Sequence, residues 1–350
     1  MLAVAGMPDL HPGKYGPVGT AILADRIFPE LVGSDIGCGM GLYQLDVAVR
    51  KLRLDKLADR LRDLDQPFDG DVARQMADAN LRETAFDGSL GSIGGGNHFC
   101  EVQAIEEIFE PDTAAAAGLD RDRALVLVHS GSRGLGFSIL ERQLAEGITA
   151  LDPASDAGRA YLAGHDHAMQ WAALNRRVIA GRAAVAARAT ANRIADLSHN
   201  FVEMAPLGAL HRKGAAASDR GLAPIPGSRG TLSFLVEPLP PPPGALASLA
   251  HGAGRKYDRV SMHGRAGRKK SELLALARNA YGGLIVCEDR DLLVEEAPEA
   301  YKSIDRVIAD LVEFGLARVV ASFRPLVTFK TATSRAVRAG IRKTGWEDRR

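Results

Sequence analysis

Apolar and polar positions divide the chain into stretches of different period. No helical period is sustained through the first fifty residues; the pattern predicts short strands and loops, with a turn-rich stretch at 7–14 and a strand where 42–47 alternate. Residues 52–84 are charged, with Leu and Ala at helical spacing, and predict peripheral helices; 102–109 reads as a short helix before a loop around Pro111. The compact apolar run 124–128 ends in His129, the pattern of a buried strand feeding a loop. The longest helical signal covers 155–197. Trp171, Leu174, Val178 and Val185 recur at three, four and seven residues and share one face, and alanine, the best helix former, fills much of the rest. His199 and Asn200 then fall just past that helix. Farther on, 232–236 reads as a strand, 240–243 as a proline-forced surface loop, 271–281 as a helix, 284–287 as a strand, 300–314 as a helix and 317–322 as a strand. No internal repeat is visible. The mixture is that of a single α+β domain over 1–330, followed by a basic, flexible tail at 331–350.

Composition narrows the class without naming it. The 350 residues suffice for a large core, and 46% hydrophobic with 25% charged residues is the balance of an ordinary globular protein. The net charge of +1 neither favours nor excludes nucleic acid, because phosphate binding depends on local basic patches. No apolar run approaches membrane-spanning length, and no basic-then-apolar signal segment opens the chain. Three widely spaced cysteines argue against a disulfide framework, so a reduced, cytoplasmic enzyme is the expectation.

Glycine changes the picture, because its 37 copies cluster beside residues able to do chemistry. Gly37 and Gly39 flank Cys38; Gly94–Gly96 precede Asn97 and His98; Gly131 and Gly134 bracket Ser132 and Arg133; Gly252 and Gly254 follow His251. Such clusters mark tight turns or a close approach of backbone to ligand, although plain surface turns use them too. Asp35 and Cys38, three positions apart, can face one cation, or can be a capping Asp beside a buried Cys. His98, His129 and His199 each adjoin Gly, Asn or Ser, which favours a site over three packed histidines. Three imidazoles, a carboxylate and a bridging thiolate can accommodate two ions, and this mixed set suits zinc or manganese. His251, in Ala-His-Gly-Ala-Gly-Arg, reads as ligand, acid–base group or nucleophile, with Arg255 as a forked cationic contact. The usual Gly-rich phosphate loop ending in Gly-Lys-Ser/Thr is missing, so any nucleotide must be held by another design.

The ordered strings resemble the RtcB family of RNA-splicing ligases over most of 7–330. They are Met-Pro-Asp-Leu-His at 7, Asp-Ile-Gly-Cys-Gly-Met at 35, Gly-Gly-Gly-Asn-His-Phe at 94 and His-Ser-Gly-Ser-Arg-Gly at 129. His-Asn-Phe-Val at 199, Arg-Lys-Gly-Ala at 212, Pro-Gly-Ser at 226 and His-Gly-Ala-Gly-Arg at 251 complete the series. The resemblance implies one large α+β domain with mixed sheets and surrounding helices. It also implies a GTP- and Mn2+-dependent ligase that joins RNA 3′-phosphate or 2′,3′-cyclic phosphate ends to 5′-hydroxyl ends. By the matching motifs, His251 is the guanylylated nucleophile. Cys38 would bridge two Mn2+ ions, whose shells Asp35, His98, His129 and His199 complete. Asn97, Asn200, Ser228, Ala253, Gly254, Tyr301 and Lys330 resemble nucleotide contacts, and Asp9 a residue near the guanylylation site. Arg133, Arg212, Lys213 and Arg255 are candidate RNA phosphate contacts.

Some positions depart from the family. The chain begins close to Met-Pro-Asp, Arg255 is followed by Lys-Tyr-Asp-Arg, and Lys330 is followed by Thr. These features resemble the divergent, release-factor-H-coupled branch, which implies repair of broken ribosomal RNA with a peptide-release factor as functional partner. Two other readings stand beside the ligase: a metal-dependent phosphohydrolase that opens cyclic phosphate ends, and a catalytically idle RNA-binding protein.

Overall fold

The apolar run at 124–128 lies at the centre of the molecule, in β5 (Arg123–Ser130). The computed structural model describes residues 1–332, so the basic tail expected from 331 falls almost wholly outside the described residues. In spatial order, the large sheet is β10 (Ala223–Ile225), β11 (Ser233–Pro238), β14 (Ala317–Thr331), β4 (Phe99–Ile108), β5, β3 (Gly39–Ala48) and β6 (Ala191–Ser198). An eighth strand, β13 (Leu284–Cys287), joins β14 in parallel; the other pairings of this sheet are antiparallel. A second sheet runs β1 (Ala3–His11), β2 (Val18–Ala24), β8 (Gly208–Lys213), β7 (Asn200–Ala205), and a small one pairs β9 (Ala215–Ala217) with β12 (Ser248–Ala250). The fold is α+β, and no helix among the described residues is long and apolar enough to cross a membrane.

Both faces of β5 are covered, which explains its unbroken apolar run. Val126 and Val128 face the helix Asp156–Ala187, where Ile179, Ala180 and Ala183 receive them. Leu125 and Leu127 point the other way, onto Met40, Leu42, Phe323 and Leu235. That 32-residue helix starts at Ser155, whose side chain accepts from the Gly158 N–H at 3.0 Å. It ends at Arg188, which adopts the left-handed conformation with φ 57°. The helix is therefore shorter than the 155–197 expected, and its alanine-rich continuation is β6, drawn into the sheet by pairing with β3. Trp171, Leu174 and Val178, on the face expected, are buried, whereas Val185, two residues before the helix ends, is exposed.

Four more expectations are corrected. The segment 102–109 is not a helix: it belongs to β4, held between β14 and β5, because a short apolar run satisfies either period and its neighbours decide. The helix expected at 271–281 is confined to Lys270–Ala275, and the one expected from 300 begins at Ile304, after its cap Ser303. Strand β14 runs fifteen residues instead of stopping at 322; Pro325 is tolerated at a register shift opposite β4. That extension carries Thr328 and Lys330 to the cavity described next.

Candidate active site

Four strand ends meet along one rim of the large sheet. Antiparallel neighbours begin where their partners finish, so the residues just before β3 and β4 come level with those ending β5 and β6. In the spatial order β4, β5, β3, β6, these residues are His98, His129, Cys38 and His199. The register fixes this: Phe99 and Met40 both pair with His129, and Gly39 pairs with Ser198. Four residues scattered over the sequence thus become adjacent through strand pairing alone.

Their side chains converge in a buried cluster. Cys38 Sγ lies 3.3 Å from His98 Nε2 and 3.2 Å from His129 Nε2, and Asp35 Oδ2 lies 2.8 Å from His98 Nε2. The His129 and His199 rings are 5.2 Å apart. The other His98 nitrogen, Nδ1, sits 3.2 Å from the Ile93 carbonyl, which turns Nε2 towards the thiol. Burial, then Asp35, pushes the Cys38 thiol well up; burial and neighbouring imidazoles push His129 and His199 well down. Desolvation opposes ionisation of Asp35, but the adjacent His98 outweighs it and lowers that carboxyl. Imidazoles converging on a thiol are the chemistry of a cation site, because a bound ion would reverse the penalty on the thiolate. Cys38, His98 and His129 offer ligand atoms all within 4.8 Å of one another, so they can hold a metal ion.

His251 stands at the other side of this cluster, at the end of β12, with its ring 4.5 Å from that of His199. Asp9 on β1 is fully buried beneath it. Its Oδ2 accepts from the His251 backbone N–H at 3.2 Å and lies 2.6 Å from Nδ1, near enough for an ion pair but off the line of a hydrogen bond. Gly254 has φ 71°, and a Cβ there would meet the Asp9 carbonyl at 2.2 Å, so the Gly-Ala-Gly turn can pack only as glycine at this point.

The far wall of the cavity is charged. Glu296 receives Arg255 at 2.9 Å, Arg259 at 3.4 Å, Lys330 at 3.4 Å and the Tyr301 hydroxyl. Burial favours the neutral acid, yet Lys330 and the two arginines win and hold Glu296 at about 2. Tyr301 is driven up by burial and by Glu296, and Lys330 is lowered by burial. On the floor, burial raises Glu101 to about 7 even though Thr328 and Gln103 both donate to it. The cavity measures about 320 Å³.

Most of the residues singled out from the sequence line this cavity: Asp35, Cys38, Asn97, His129, His199, Asn200, Ser228, His251, Ala253, Gly254, Arg255, Tyr301 and Lys330. His98 lies behind Cys38, and Asp9 behind His251. Asn200 is held by the Gly214 N–H, which donates to its Oδ1 at 2.7 Å. Among the basic candidates, Arg133 is half-buried and reaches Ser92 at 3.4 Å. Arg212 requires correction as a surface contact. It is wholly buried on β8 and donates to Glu203, Ser248 and the Ala247 carbonyl, so its guanidinium belongs to the fold. Lys213 is likewise turned inward, onto the Tyr15 and Glu30 carbonyls, and burial lowers it to about 8. Sequence reasoning missed Glu101, Arg259 and Glu296. Glu101 carried a signal, a lone acid between Cys100 and Val102, hidden by assigning the adjoining segment to a helix; Glu296, one of two adjacent acids, carried none.

A sheet rim bearing a thiol and three imidazoles, opening onto a cavity lined with buried charge, defines a protein with a candidate metal centre beside a polar ligand pocket. The sequence family "tRNA-splicing ligase RtcB" matches residues 1–85 and 63–331. The chain is 45% identical to the RNA-splicing ligase RtcB2 of Escherichia coli, over 95% of this chain and 89% of that protein. It is 30% identical to the RNA-splicing ligase RtcB of Mycobacterium tuberculosis, over 91% of this chain and 95% of that protein. The tRNA-splicing ligase RtcB of Nanoarchaeum equitans is 28% identical, over 93% and 87% respectively. The chain belongs to the RtcB family of RNA-splicing ligases.

Proposed function

We propose that this chain is a GTP- and Mn2+-dependent ligase joining RNA 3′-phosphate or 2′,3′-cyclic phosphate ends to 5′-hydroxyl ends, with His251 as the nucleophile. The observation that carries this reading is the placement of His251, between a buried carboxylate and the Cys/His cluster, at the wall of one cavity. Asp9 beside Nδ1 favours the tautomer protonated there and leaves the Nε2 lone pair for attack. In the first step Nε2 forms a bond to the α-phosphorus of GTP, and pyrophosphate leaves. The GMP then passes from His251 to an oxygen of the RNA 3′-phosphate. The 5′-hydroxyl of the second strand finally attacks that 3′-phosphorus, forming the phosphodiester and releasing GMP; a cyclic end is first opened by water.

Asp35, Cys38, His98, His129 and His199 would hold the manganese ions. When bound, the ions neutralise phosphate charge and assist departure of pyrophosphate. Asn97 and Asn200 would meet phosphate oxygens, a reading supported by their position on the cavity lining. Ser228, Ala253, Gly254, Tyr301 and Lys330 form the nucleotide wall, and Glu101 offers a buried acceptor to the N–H edge of guanine. Arg133 and the half-exposed Arg259 would meet RNA phosphates, a reading supported by their position beside the cluster and the cavity. The resemblance of the strings after Arg255 and Lys330 to the release-factor-H-coupled branch supports broken ribosomal RNA as substrate, with a peptide-release factor as functional partner; the three widely spaced cysteines support a cytoplasmic location. Gel analysis of a 3′-phosphate and a 5′-hydroxyl RNA incubated with protein, GTP and Mn2+ tests this reading. A joined product that needs GTP and disappears with His251→Asn is expected; opening of cyclic ends without joining would replace the ligase with a phosphohydrolase.

A further inference from the structure

Behind the donor cluster lies a second layer of polar contacts that the proposed chemistry does not use. It comes from two consecutive residues of the helix Asp156–Ala187. Arg176 is 1% exposed, and all three of its guanidinium nitrogens donate hydrogen bonds. Nη1 donates to the Gly37 carbonyl at 2.6 Å and to the Ser130 carbonyl at 3.1 Å; Nε donates to Asp196 at 2.6 Å; Nη2 donates to Ser198 Oγ at 3.3 Å. Gly37, Ser130 and Ser198 are the chain neighbours of Cys38, His129 and His199. Ser198 Oγ in turn donates to the Gly37 carbonyl at 3.2 Å. Gly39 has no room for a side chain here, since a Cβ would meet the Leu197 carbonyl at 2.5 Å and lie 3.0 Å from the guanidinium carbon.

Asn175 reaches the remaining segment. Its Oδ1 accepts from the Gly91 N–H at 2.7 Å, and its amide nitrogen donates to Ser130 Oγ at 3.1 Å and to the Gly131 carbonyl at 3.2 Å. Ser130 Oγ donates to the Ile93 carbonyl at 2.8 Å, the same carbonyl that His98 Nδ1 meets. One turn of one helix therefore touches the segments of all four rim donors.

We propose that Asn175 and Arg176, with Asp196 as the counter-charge, are positioning residues that fix the separation of the donor atoms of Cys38, His98, His129 and His199. This inference rests on the metal reading of that cluster. A planar fork is what the task requires, because one guanidinium can bridge the peptide oxygens of two loops while holding a carboxylate on a third strand. Lysine keeps the charge but cannot span these partners. Loss of outer contacts at metal sites lowers metal affinity by roughly 10- to 100-fold.

The test uses cobalt(II) as an optical probe of the full-length protein, because its visible bands report coordination geometry and its thiolate charge-transfer band reports Cys38. Arg176→Lys and Asp196→Asn are compared with the unaltered protein by cobalt titration, with circular dichroism and urea unfolding measured alongside. A folded Arg176→Lys that binds cobalt roughly 10- to 100-fold more weakly, with altered visible bands, is the expected result. Unaltered affinity and bands in a folded variant, even one with a lower urea midpoint, would reduce Arg176 to a merely structural role and overturn the proposal. Should Arg176→Lys fail to fold, Ser198→Ala removes a single hydroxyl partner and gives the same reading on a smaller scale. If the unaltered protein takes up no cobalt and no manganese, the metal reading itself fails, an outcome distinct from failure of the positioning role.

Discussion

Replacing Glu296 with glutamine separates a charge-held cavity wall from one held by shape alone. The carboxylate is 1% exposed and is surrounded by Lys330, Arg255, Arg259 and the Tyr301 hydroxyl. Burial alone would raise its pKa, yet Lys330 and the arginines hold it at about 2, against an ordinary 4.5. At about 1.4 kcal/mol per pH unit, this gap contributes about 3 kcal/mol to folding at neutral pH. That magnitude agrees with the roughly 3–5 kcal/mol expected when one partner of a buried ion pair is removed. Because the folded value lies below the unfolded one, the contribution is fully present above pH 4.5 and is lost as pH falls towards 2. Urea unfolding, followed by circular dichroism, should show Glu296→Gln destabilised by about 3 kcal/mol at pH 7, with the difference shrinking between pH 4.5 and 2. An unchanged midpoint at pH 7, or a difference indifferent to acid, would refute the charge-held wall.

Glu101→Gln should act with the opposite sign. Burial raises Glu101 to about 7, so its ionisation opposes folding as pH rises from 4.5 through 7. The variant should therefore be more stable than the unaltered protein at pH 8 and indistinguishable at pH 4, by the same urea measurement; greater stability at acidic pH would contradict this. Gly254→Ala introduces a Cβ 2.2 Å from the Asp9 carbonyl at φ 71° and should lower stability by about 1–3 kcal/mol. It should also depress ligation more than a variant of equal stability altered far from the cavity, because the clash falls on the residue beside His251. Trp171→Phe removes the indole N–H that donates to Asp87 at 2.9 Å in a fully buried site, and should cost about 1–3 kcal/mol by urea unfolding while leaving cobalt affinity unchanged.

The donor-bearing motifs were legible in the sequence because glycine turns and strand ends leave local marks. Cys38, His98, His129 and His251 each sit where a strand meets a glycine-rich turn, and the cavity gathers Cys38, His129 and His251, with His98 behind Cys38. What local pattern could not provide was pairing. The alanine-rich stretch after Arg188 has a composition suited to helix, yet the free edge of β3 turns it into β6 and places His199 on the rim. The segment after Cys100 was hidden in the same way, and with it Glu101, which only a strand register brings to the cavity floor. Arg212 and Arg176 illustrate the converse. A sequence shows that an arginine is charged but not whether its fork is turned inward, and burial is decided by partners such as Glu203 and Asp196, remote along the chain. Glu296 belongs to the same class, since its role follows from Lys330, a residue that joins it through the extension of β14.

The most direct measurement is the transfer of label from GTP radiolabelled in its α-phosphate to the protein in the presence of Mn2+. A histidine–phosphorus bond is labile to acid and resistant to alkali, and peptide mapping locates it. Label with that lability on the His251 peptide, absent from His251→Asn and reduced in Asp9→Asn, is the predicted result. Folded, manganese-loaded protein that takes up no label, or label that persists in His251→Asn, would contradict the nucleophile and the ligase mechanism built on it.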